Sequence, residues 1–84
     1  MYIVTGSITS ALRLSKAVQN YSGLPASVVH TPSALNRGGC SYSIKTDVDD
    51  IDIIKELAQN FGISIKGMYG ERQGSEGRVF YDIS

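Results

Sequence analysis

Two stretches of helical apolar periodicity, each set between short β-prone runs, constrain this chain more than any other feature. Tyr2–Thr5 is the first such run; Gly6 breaks it, and Ser7 stands where a helix N-cap belongs. Ile8, Ala11, Leu12, Ser15 and Val18 then recur at helical spacing, Leu14 and Tyr21 widen the stripe, and Ser10, Arg13, Lys16 and Asn20 take the other side. Gly23 and Pro25 end that helix, and Ala26–His30 reads as a second strand. An irregular stretch follows, in which Thr31 caps a single turn carrying Pro32 at its first position, and Gly38 and Gly39 close it.

Residues 40–46 alternate, with Cys40, Tyr42 and Ile44 on one face and Ser41, Ser43 and Lys45 on the other, which predicts a strand with one buried face. Asp47, Asp49, Asp50 and Asp52 gather where a second helix should begin, and carboxylates there are stabilised by its partial positive charge. Val48, Ile51, Ile54, Leu57, Ala58 and Phe61 form the stripe of that helix, and Gly62 supplies its stop. A fourth strand is expected over 63–69. The polar segment 70–77 reads as a flexible glycine-rich turn, and 78–83 has strand composition, so a terminal hairpin is predicted.

Strand, helix, strand, strand, helix, strand is the order of a ferredoxin-like βαββαβ sandwich, an α+β fold with two helices on one face of an antiparallel sheet; 78–83 offers an extra C-terminal strand. At 84 residues the chain builds one thin core. The expected division is a domain over 1–70 and a hairpin or tail over 71–84 that extends the sheet.

Eight basic residues balance eight acidic ones, so no net positive field gathers phosphate backbones or anionic lipid, and neither nucleic acid nor membrane is an expected partner. No apolar run approaches the roughly 20 residues of a membrane span, and the first residues lack signal-peptide character, so a cytoplasmic location is expected. The single cysteine forms no internal disulfide, and neither a CxxC pair nor a Cys/His cluster offers a metal site, so no metal or bound cofactor is expected.

Right-handed crossovers would bring the end of the first strand, the first helix's N-terminus and the loop after the second strand to one edge, where Ser7 and Cys40 would meet. A thiolate at Cys40 would be stabilised there by the helix's unpaired N–H groups. Arg37 would add a positive charge, and Gly38 and Gly39 would leave the approach unobstructed and turn N–H groups toward an anion. His30, at the end of the second strand, is either a base at the same edge or a partly exposed strand-end residue. Cys40 itself reads two ways from residue type: a working thiol or a small buried hydrophobe. Without a second cysteine, any transfer cycle needs another molecule.

The opening Tyr2–Thr5 with Ser7, Ala11 and Leu12, then Thr31, Pro32 and Leu35, and above all Gly39-Cys40 leading into the alternating strand, resemble the small selenium/sulfur carrier-like proteins over residues 2–69. The resemblance implies that Cys40 is the covalent carrier of a transient persulfide or selenopersulfide. It implies too a cysteine desulfurase-like donor protein and an acceptor protein, with Ser7, Arg37, Gly38, Gly39 and His30 as supporting residues. Two departures stand out: Ser41 where the family often has glycine, and a tail over 71–84 outside the pattern. A carrier rather than an independent enzyme is implied. The alternative is a non-catalytic regulatory or interaction module, perhaps a homodimer through the sheet face or terminal strand, with Cys40 merely packed and Tyr2, Val29, Phe80 and Tyr81 as surface apolar groups.

Overall fold

The computed structural model describes residues 1–32, 35, 42–74 and 77–83, with Gln73 and Arg78 described by their backbone alone. Its elements are β1 (Tyr2–Thr5), α1 (Ile8–Ser22), β2 (Ala26–His30), β3 (Tyr42–Thr46), α2 (Ile51–Asn60), β4 (Ile65–Gly74) and β5 (Gly77–Asp82). The strands form one sheet in the order β2-β3-β1-β4-β5, and every neighbouring pair is antiparallel. The first four strands thus take the ferredoxin-like order, and β5 adds the extra strand beside β4.

Both helices pack on the sheet face that carries Ile3, Ile44 and Met68, and these join Leu14, Val18, Ile54 and Ala58 in the core. On α1 the buried residues are Ala11, Leu14, Ser15, Ala17 and Val18. The stripe is therefore rotated from the one the spacing suggested: Ile8, Leu12 and Tyr21 are exposed, Leu12 by 55% against 0% for Leu14. Two overlapping apolar rows run along this helix, and contact with the sheet selects the row through Leu14. Ser15 belongs to that row because its hydroxyl donates to the Ala26 carbonyl at 2.8 Å, and the Gln19 side-chain amide donates to the same oxygen. A polar side chain is tolerated inside when it is bonded in this way.

Helix α2 begins later than the aspartates suggested. Asp50 is its N-cap, accepting from the Ile53 N–H at 3.2 Å, and Asp52 alone supplies a carboxylate to the first turn, so Asp47 and Asp49 precede the helix. Val48 also precedes it, yet is buried in the core. The helix closes in a Schellman motif: the Gly62 N–H donates to the Gln59 carbonyl and the Ile63 N–H to that of Ala58, with Gly62 at φ 66°. Ile63 is consequently part of the helix stop rather than of β4. Phe61 falls outside the buried stripe, at the C-cap, where the Arg13 guanidinium lies 5.9 Å from its ring centre.

The segment 70–74 is strand rather than flexible turn. Gly70 is paired with Tyr81 and Gly74 with Gly77. A Cβ at Gly70 would fall 2.2 Å from the Tyr81 ring, and one at Gly74 2.8 Å from Val79, so these glycines let side chains of β5 lie across β4. Tyr2, expected at the surface, is only 3% exposed. Its ring meets Phe80 edge-on at 5.5 Å, because β5 extends the sheet two strands away, and carries the ammonium of Lys45, its partner on β3, at 5.9 Å.

Candidate functional site

Register gathers one end of the sheet into a row. His30 is opposite Tyr42, Tyr42 is opposite Thr5, and Thr5 is opposite Ile65. The chain leaves β1 at this end and enters α1 through Gly6 and Ser7, so the helix N-terminus stands at the same end. Ser7 is the N-cap: its hydroxyl accepts from the Ser10 N–H at 3.2 Å and donates to the Ser10 hydroxyl at 3.1 Å. That leaves the N–H groups of Ile8 and Thr9, which have no carbonyl within their own helix, as the donors for an anion. Ser7 acts on the end of the helix by holding its first turn.

Two residues that the sequence did not single out build this end. Thr5 is fully buried, and its hydroxyl lies 3.2 Å from both the Ser7 and the Tyr42 carbonyl oxygens. One proton shared between two acceptors ties the entry to α1 to the first residue of β3. Replacing Thr5 by valine keeps the shape and removes the tie. The expected result is a loss of about 1–2 kcal/mol in urea unfolding and faster amide exchange at Ala11, whose N–H donates to Ser7. Unchanged exchange there would mean that the hydroxyl does not hold the helix entry.

Lys66 is the second. Pairing between β1 and β4 passes from Val4–Gly67 to Thr5–Ile65, so Lys66 is the extra residue of a β-bulge. Bulges re-aim the side chains they carry. Here the stem of Lys66 crosses Gly6, where an added Cβ would lie 3.2 Å from Cε. A cation therefore stands beside the segment that leads into α1. A register shift of this kind leaves no mark in apolar periodicity.

His30 ends β2 in an exposed position, with its ring 5.0 Å from that of Tyr42 and tilted by 34°. Beside it Thr31 and Ser43 share a buried 2.6 Å hydroxyl–hydroxyl hydrogen bond. The structure thus brings Ser7 and His30 to one end of the sheet, together with Thr5, Tyr42 and Lys66. Arg37, Gly38, Gly39 and Cys40 lie outside the described residues. Among the described residues no group of His, Cys, Asp or Glu side chains is placed to hold a metal ion, and no helix is long and apolar enough to cross a membrane.

The fold is a ferredoxin-like sandwich with a capped helix N-terminus and a lysine at one end of its sheet. The family model described as putative Se/S carrier protein-like matches residues 1–70, and the chain belongs to that family. No curated protein and no solved structure matches the chain.

Proposed function

We propose that the protein carries sulfur or selenium on Cys40 between a desulfurase-type donor and an acceptor protein. The observation that carries the reading is the family match over residues 1–70 in a chain with a single thiol. The row across the sheet supports it. Cys40 precedes Tyr42 by two residues in the sequence. Tyr42 is paired with Thr5, two residues before the cap of α1. A Cys40 thiolate at this end of the sheet would have the Ile8 and Thr9 N–H groups, which find no acceptor within their own helix, and the Lys66 ammonium as stabilisers of its charge. His30, which ends β2 opposite Tyr42, stands on the edge where a partner docks.

In the loading step the Cys40 thiolate attacks the outer sulfur of a persulfide on the donor. A bond forms between Cys40 Sγ and that sulfur, the donor's S–S bond breaks, and the donor leaves as a thiolate. Delivery repeats the exchange with an acceptor thiolate and returns Cys40 to its thiolate. The sulfane atom moves without net oxidation or reduction, and a selenium atom follows the same course.

Intact mass spectrometry of the reduced protein after incubation with a cysteine desulfurase and cysteine tests the reading. The expected result is a gain of one sulfur atom, reversed by a reducing thiol. An unchanged mass beside an active desulfurase would overturn it.

A further inference from the structure

Where β5 stops, one corner of the sheet is left open beneath α2. β5 runs beside β4 from Gly74 back to Tyr69, and the Ile83 N–H donates to the Met68 carbonyl at 3.0 Å. Among the described residues no strand lies on that side of residues 65–67, the start of β4. The side chains that β4 turns toward the helices there are Met68, opposite Ile3, and Ile65, opposite Thr5.

Helix α2 passes over this corner and returns to the sheet through Gly62 and Ile63. Between them is a cavity of about 340 Å³. Its wall is apolar, made by Ala58 and Ile63 on the helix side and by Ile65 and Met68 on the sheet side. Two further side chains line it: Lys55 from α2 and Lys66 from the bulge of β4.

Charge at this cavity has one sign. Both lysines are exposed, and among the described residues neither is in an ion pair and no acidic side chain lines the cavity. Glu56, next to Lys55 in the chain, lines a different cavity with Tyr21 and Ile53. A cleft with apolar walls and charges of one sign concentrates the opposite charge, and an anion offsets the repulsion between the two ammonium groups. An apolar hollow with a few polar groups at hand is also the usual form of a small-ligand site. Size limits the apolar part of the ligand. At about 30 Å³ per water the hollow takes about ten non-hydrogen atoms, which suits a short branched or aromatic acid.

We infer that this cavity binds a small carboxylic acid, its apolar body against Ile63, Ile65 and Met68 and its carboxylate held by the Lys55 and Lys66 ammonium groups. The cavity adjoins the row across the sheet at Ile65, the partner of Thr5. The inference does not rest on the carrier reading, because binding is measured without sulfur transfer.

Titration of the full chain with phenylacetate, followed by two-dimensional amide NMR, tests the site; acetate supplies the charge alone, and phenylacetamide the apolar body without the charge. Phenylacetate shifts the amide resonances of Ala58, Gln59, Ile65 and Lys66 saturably, with a dissociation constant of about 1 mM or tighter. Acetate and phenylacetamide bind about tenfold more weakly or less. Lys55→Gln and Lys66→Gln, whose spectra also verify folding, each weaken phenylacetate by about threefold and together by about tenfold. No saturable shift at these amides, phenylacetamide binding as tightly as phenylacetate, or an affinity unchanged by the two substitutions would each overturn the inference.

Discussion

Cys40→Ser abolishes sulfur loading completely while the protein still folds. A serine hydroxyl is almost wholly protonated at neutral pH and forms no persulfide, so the attacking group is lost. Nothing else in the chain can replace it, because there is no second cysteine to accept sulfur at a slower rate. The loss is therefore total rather than partial, which separates a carrier thiol from one that only assists. Intact mass before and after incubation with desulfurase and cysteine reads the loading, and circular dichroism the fold. A serine variant that still gained reversible sulfur would show that the atom is held elsewhere and would sink the proposed mechanism.

Leu14→Ala and Leu12→Ala differ sharply in cost although the chemical change is identical. Leu14 is fully buried against the core, and its truncation leaves a cavity expected to cost about 2–5 kcal/mol. Leu12 is 55% exposed, two residues away on the same helix, and its truncation should stay within about 1 kcal/mol, helped by alanine's helix propensity. At roughly 0.05–0.15 kcal/mol per residue a chain of this size holds about 4–13 kcal/mol in all, so the Leu14 variant loses a large share of its stability. Urea unfolding with an unchanged denaturant slope measures both. Equal losses at the two positions would contradict the orientation of α1.

The two leucines mark the limit of what periodicity conveys. An amphipathic stripe announces a helix and roughly which side is buried, but α1 carries two overlapping rows, and only docking on Ile3 and Ile44 chooses between them. The same holds for the aspartates before α2. Any of them satisfies the preference for negative charge at a helix start, and the cap falls to Asp50 because Val48 must first reach the core.

The amino-acid sequence by itself determined the order of the strands and helices, the cap at Ser7, the stop at Gly62, the extra strand and the kinship with the carrier family. These rest on interactions within a few residues, or on short motifs, and such signals survive in one dimension. Tertiary structure alone decided the rest. Tyr2 is buried because β5 comes to lie two strands away, and Gly70 and Gly74 are strand because side chains from β5 cross them. Lys66 reaches Gly6 through a bulge, and Thr5 bridges two carbonyls that are far apart along the chain. Each depends on strand register, which is a relation between distant segments and cannot be written in the local pattern of either one.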